Sequence, residues 1–178
     1  MKPPTYMLFE TALGRCGLAW GAGGILAVSF AHENDEQTRM QLLRRVPDSE
    51  ETTTASVEIA HVLDGIRELF TKGTCVLSDA HLDMTGISEF ERELYKFTRE
   101  IAPGETRTYG DLAKALGDVS LSRRVGQSLG RNPFPIIVPC HRVVGAGGAM
   151  TGFSAPGGTE TKRRLLKIEG ALAPDLFD

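Results

Sequence analysis

The sequence predicts a mixed α/β chain of the α+β kind. A small N-terminal α/β domain with an antiparallel sheet is expected over residues 1–85, and a mostly helical C-terminal domain with a helix-turn-helix over residues 86–178. Three observations lead there. Short apolar runs cut by glycine fill the first 30 residues, helical apolar spacing dominates from Ser88 onward, and two short helix signals flank a glycine-containing turn at Gly117. With 178 residues, 41% of them hydrophobic, the chain can bury a sizeable core without cross-links.

In chain order, "TYMLFE" and "GRCGLAWGAGGILAVSF" read as three strands, the last two joined by a Gly-Gly hairpin turn. "MQLLRRV" is the helical piece of the polar stretch that follows. "ASVEIAHVLDGIRELFTKG" is a helix with Val57, Ile59, Ala60, Leu63, Ile66 and Phe70 at helical spacing, stopped by Gly73. "TCVLSDAHLDM" is predicted as a further strand and "TGIS" as a boundary. Ser88 with Glu91 forms a capping box for a helix whose apolar face carries Phe90, Leu94, Phe97 and Ile101, ended by Pro103 and Gly104. Thr108 caps "YGDLAKAL", which Gly117 terminates; "LSRRVGQSL" follows and stops at Gly130. "RNPFPIIVPC", with three prolines, is predicted to be extended. "GAGGAMTGFSAPGG" is a loop, and "TETKRRLLKIEG" a final helix capped by Thr159 or Thr161 and closed by Gly170.

Composition excludes several function classes. Cys16, Cys75 and Cys140 are odd in number and far apart, so neither a disulfide framework nor a cysteine-based zinc cluster is suggested, and no metal is expected. A reducing cytoplasm fits such cysteines. The apolar runs are too short for a bilayer span and the N-terminus lacks a signal peptide's apolar region, so no membrane role is expected. The net charge of −3 hides an asymmetry: residues 106–167 carry +7 and the remainder −10. Arg123, Arg124 and Arg131 lie on or beside the second helix of the pair, so a basic helix-turn-helix points to nucleic acid.

Just downstream, "IIVPCHRVVG" sets a cysteine beside a histidine after a proline-braced apolar run. A thiol packed among apolar residues is inert, but a neighbouring imidazole can take its proton and make it a nucleophile.

"NPFPIIVPCHRVVG", together with "PGETRTYGDLAKAL", "SRRVG", "GGAMTGFSAPGG" and "LLKIEG", resembles the signature of the O6-alkylguanine-DNA alkyltransferases, also called methylated-DNA–protein-cysteine methyltransferases. The resemblance spans roughly Ser88 to Gly170 and implies a ribonuclease H-like N-terminal domain. It implies repair of duplex DNA by irreversible single-turnover transfer of an alkyl group, methyl above all, from O6-alkylguanine, with O4-alkylthymine as a further substrate class. No cofactor is implied. Cys140 would be the acceptor, His141 the base that activates it, Glu169 the carboxylate that orients His141, and Asn132 the hinge behind the recognition helix. Arg142 would support them from behind. Tyr109 would press on the target phosphate and Arg123 would fill the stack vacated by the flipped base. Gly126 would let the helix approach the groove, with Arg131 adding charge. Phe153 would wall the base pocket and Ser154 would donate to O6. A monomer is implied, with cooperative binding on DNA left open.

Three departures stand out. Phe153 replaces the family's common tyrosine, removing a hydroxyl; Arg124 replaces a small residue; and "APGG" lengthens the loop. The alternative reading is a non-catalytic lesion-binding or regulatory DNA-binding protein, against which Cys140 itself argues. A thiol hydrolase would leave the basic helix pair unexplained.

Overall fold

A computed structural model of the chain describes residues 2–174. The expected domain ranges, 1–85 and 86–178, therefore extend at both ends beyond the described residues. The strands β1 (Thr5–Thr11), β2 (Gly14–Gly21) and β3 (Gly24–Ser29) form an antiparallel meander. Gly14 and Gly24 have φ of +100° and +122°, conformations that favour glycine at the two reversals. A two-residue strand, β4 (Glu50–Glu51), adds in parallel to β1, giving the order β3-β2-β1-β4. The α+β arrangement read from the sequence is the one observed.

Side-chain alternation divides the sheet between two layers. Tyr6, Leu8, Ala19 and Ala27 pack under α1 (Asp35–Arg45) against Leu42 and Val46. Phe9, Cys16, Leu18, Ile25 and Val28 face α2 (Val57–Lys72) and join the main core. Helix α1 starts five residues before "MQLLRRV" because Asn34 caps it, its Oδ1 accepting from the Gln37 amide at 2.9 Å. The first turn is polar, so apolar periodicity does not register it.

Residues 74–84 are not the expected strand. Only Leu82 bridges to Ile25, with the Ile25 amide donating to His81 O and the Asp83 amide to Ile25 O. A turn closed by the Ala80 amide on Leu77 O and a second at Asp83 Oδ1 break the run, and Val76 is left exposed.

Helix α3 (Glu89–Arg99) carries the capping box of Ser88 and Glu91. Leu94 and Ile101 are buried while Phe90 and Phe97 are half-buried. Strand β5 (Arg107–Thr108) pairs in parallel with β6 (Val143–Val144) and leads directly into α4 (Tyr109–Ala115), capped by Thr108 with Asp111. A single 3₁₀ turn, Val119–Leu121, connects α4 to α5 (Ser122–Gly130). The last helix, α6 (Thr159–Ile168), has Gly158 at its N-cap with no side-chain cap bond, so neither Thr159 nor Thr161 caps it. Thr161 instead donates to Pro156 O. Among the described residues no helix is long and apolar enough to cross a membrane.

Residues 131–139 depart most from expectation: they form successive turns rather than an extended segment. The three prolines have no N–H to give to a ladder, and Asn132 takes over the local hydrogen bonding. Its Oδ1 accepts from the Phe134 amide and its Nδ2 donates to Val138 O, both at 2.9 Å. The Val138 amide closes on Phe134 O at 2.8 Å. The Val28 amide of β3 donates to Pro133 O, fastening this knot to the N-terminal sheet.

Gly73 ends α2 in the left-handed region, φ +71°. A Cβ placed there would run into the Ile168 carbonyl and the Cα of Glu169. Gly117, φ +113°, has nothing within 4 Å. Urea unfolding should therefore show Gly73→Ala less stable than Gly117→Ala by ~1–3 kcal/mol, the scale of overpacking, since both share the conformational strain. Equal losses would contradict the close packing of α2 on the end of α6.

Candidate active site

Cys140 begins a 3₁₀ turn, Cys140–Arg142, at the exit of the Asn132 knot, and its amide donates to Val138 O at 2.7 Å. The turn runs into β6, so β5–β6 pairing brings the start of α4 alongside the segment that follows the cysteine. Local turn chemistry and a short parallel pair thus place Cys140, Asn132 and Tyr109 in one region.

Behind the turn, His141 is fully buried and its Nε2 lies 2.9 Å from Glu169 Oε2. Arg142 grips the same carboxylate with two bonds, Nε to Oε1 at 2.9 Å and Nη2 to Oε2 at 2.8 Å, while Nη1 donates to Ile101 O at 2.7 Å. Burial opposes the charge on Glu169, but the hydrogen bonds and charges of Arg142 and His141 overcome it and hold the carboxyl down at about 2. Ionised Glu169 can only accept, so Nε2 carries the histidine's proton. Nδ1 is then the basic nitrogen, and it is buried without a hydrogen-bond partner among the described residues. Burial, opposed by Glu169, pushes the imidazole below its usual pKa and keeps it neutral.

Burial likewise pushes the Cys140 thiol up, with a hydrogen bond from Asn132 and the charge of Lys162 pulling it part of the way back. The resting sulfur is a protonated thiol that needs a base. Lys162 itself was not anticipated. It is fully buried, donates to Val143 O and Thr151 O, and sits 5.8 Å from the centre of the Tyr109 ring. Its sequence signal is its place on the face of α6 shared by Leu165, Leu166 and Glu169, at helical spacings of three, four and seven residues.

The other expected residues fall into two groups. Phe153, Ser154, Leu129 and Asn132 line a cleft with Cys140; Phe153 meets Phe30 edge-on at 5.8 Å and Ser154 Oγ donates to Gly130 O at 3.2 Å. Tyr109 packs against Gly126 and its hydroxyl donates to Thr151 O at 3.4 Å. Arg123 and Arg131 are exposed; Arg131 lies 3.7 Å from Glu91. Arg124 is stacked over the Phe90 ring at 3.9 Å. No cluster of three or more histidine, cysteine or acidic side chains suited to a metal occurs among the described residues.

Replacing Glu169 by glutamine leaves Arg142 buried without its counter-charge, so Glu169→Gln should cost about 3–5 kcal/mol at pH 7. The folded carboxyl titrates below its ordinary value of 4.5, so its stabilisation is complete above that pH and is lost as pH falls toward 2. Urea unfolding should show the gap between wild type and variant closing over that window. A gap independent of pH would contradict the ionised carboxylate.

The model of the "6-O-methylguanine DNA methyltransferase, DNA binding domain" family matches residues 89–171. A methylated-DNA–protein-cysteine methyltransferase from Methanosarcina acetivorans is 36% identical over 166 residues, covering 93% of this chain and 98% of the relative. One of the same name from Mycobacterium tuberculosis is 45% identical over 103 residues, 56% of this chain and 61% of the relative. The solved structure of Mycobacterium tuberculosis OGT in complex with DNA superposes with a TM-score of 0.74 at 30% identity, covering 93% of this chain and 92% of that one. Identity sustained along nearly the whole of two chains, on a shared fold, means that this chain belongs to the methylated-DNA–protein-cysteine methyltransferase family.

Proposed function

We propose that the protein repairs DNA by transferring an alkyl group from O6-alkylguanine in a duplex to Cys140, once per molecule and without a cofactor. The observation that carries this reading is the buried, unpartnered Nδ1 of His141, one residue from the thiol and held in its basic form by Glu169.

His141 takes the thiol proton at Nδ1 through one bridging water, and the resulting imidazolium is stabilised by the Glu169 carboxylate. The Cys140 thiolate attacks the alkyl carbon in line with the C–O6 bond; the S–C bond forms, the C–O6 bond breaks, and the electron pair passes to guanine, which takes up one proton. A thioether is a poor leaving group, so the product does not turn over. Tyr109, at the start of α4 and with its hydroxyl kept protonated by burial, presses on the phosphate of the target nucleotide. Asn132 holds the turn that presents the sulfur, and Arg142 fixes Glu169 rather than touching the thiol.

The lesion sits inside the stack, so the nucleotide has to rotate out to reach this cleft. We read α4 and α5 as a helix-turn-helix that lies on the DNA. The exposed Arg123 fills the gap, Arg131 adds charge, and Gly126 leaves room over Tyr109. Phe153 keeps the apolar wall, and Ser154 faces the same cleft with a hydroxyl for O6. Residues 1–85 act as a brace for this half, the protein works as a monomer, and its three free thiols suit a reducing cytoplasm.

Incubation with duplex DNA carrying one O6-methylguanine should add one methyl group to the protein mass, mapped to Cys140 and absent in Cys140→Ser. No gain, or a gain at another residue, overturns the reading.

A further inference from the structure

Arg124, which stands where the family carries a small residue, has no part in the chemistry at Cys140. It is exposed on α5, and its guanidinium lies over the Phe90 ring, 3.9 Å from the ring centre. Among the described residues no hydrogen bond holds it and no carboxylate lies within 4.0 Å. Stacking occupies the face of a guanidinium and leaves its edge, with five N–H donors, in the open. A flat, immobilised cation of this kind matches a phosphodiester, which accepts two parallel bonds. Glu91, next to Phe90 on α3, is already engaged: it accepts from Ser88 in the capping box and lies 3.7 Å from Arg131. Arg131 therefore spends part of its charge within the protein, and Arg124 does not.

The place of Arg124 on the helix decides which strand it meets. Successive residues of a helix turn by about 100°. Val125, Ser128 and Leu129 mark the buried face of α5. On the side away from them Arg123 lies between Gly126 and Arg124, which are about 160° apart around the axis. Gly126 is the flank beside the Tyr109 ring, and Arg124 is the flank beside the start of α3. A groove of duplex DNA that receives a helix has one sugar-phosphate backbone on each side. With Tyr109 on the phosphate of the target nucleotide, the backbone on the Arg124 side belongs to the other strand.

We propose that Arg124, held flat by Phe90, binds a phosphate of the undamaged strand, so that the two strands are gripped on opposite flanks of α5 while Arg123 stands between them. This deepens the alkyltransferase reading and rests on it. Phosphate contacts set register rather than sequence; holding both backbones keeps the groove seated on α5 while the target nucleotide rotates out.

The test is a methylphosphonate scan. O6-methylguanine duplexes, each with one phosphate of either strand made neutral, are compared by the duplex concentration that half-saturates single-turnover methyl transfer. For the wild type, one neutral phosphate on the undamaged strand should raise that concentration about tenfold, the scale of a hydrogen bond to a charged group. Arg124→Ala should raise it as much on the unmodified duplex, lower the slope of log affinity against log salt by about one, and make the protein indifferent to that same phosphate. Phe90→Leu keeps the charge but removes its platform, and should raise the concentration about threefold, the scale of an exposed cation–π contact. An Arg124→Ala protein that binds as tightly as the wild type, or more tightly, would make the arginine an obstruction in the groove and overturn the proposal. Coupling to a phosphate of the lesion strand, or losses that simply add, would overturn it too, and each of these results leaves the alkyltransferase reading standing. Failure of the wild type to take methyl from any duplex would overturn both.

Discussion

The buried carboxylate of Glu169 is the interaction on which the rest of the site depends. It neutralises Arg142, fixes the ring of His141, and through Arg142 reaches the Ile101 carbonyl beyond α3. Three polar side chains in an apolar core would each be costly alone; paired, they satisfy one another. The result is directional. By occupying Nε2 with an acceptor, Glu169 leaves Nδ1 as the basic nitrogen. The packing of Gly73 against Ile168 and Glu169 makes α2 the backstop for this arrangement, so a turn residue in the N-terminal half holds the position of the carboxylate.

A second constraint acts on the sulfur. Three prolines deprive residues 131–139 of the donors an ordinary strand would use, and the Asn132 side chain closes the chain into turns instead. The bond from Val28 to Pro133 ties that knot to the sheet, and Arg45 ties α1 to the end of α5. The N-terminal half therefore meets the helix proposed to face DNA and the turn bearing the thiol at one place. Its contribution to the cleft follows from that contact.

Much of this was legible in the sequence because the signals were local. Glycine-punctuated strands, the capping box at Ser88, the cap at Thr108 and the stop at Gly73 each act within a few residues, and each appears as read. Misreadings arose where a partner distant in sequence decides the outcome. Residues 74–84 have strand composition, yet their turns leave only the Leu82 bridge. The prolines of 131–139 argue for an extended chain until the reach of Asn132 to Val138 is known. The pattern of Cys140, His141 and distant Glu169 was visible as a motif. Lys162 and Arg45 were hidden among solvated charges, because only tertiary contacts separate a buried lysine or a cleft-lining arginine from its exposed neighbours.

The central claim is that His141 rests neutral, its proton on Nε2 and its Nδ1 free to accept the thiol proton. Nitrogen-15 NMR of the His141 ring across a pH titration tests it directly. An unperturbed imidazole is half-protonated at about 6.5. Burial should hold this ring neutral at that pH, with the Nε2–H form persisting and protonation setting in only at lower pH. A ring already charged at pH 7, or a proton found on Nδ1, would contradict the account.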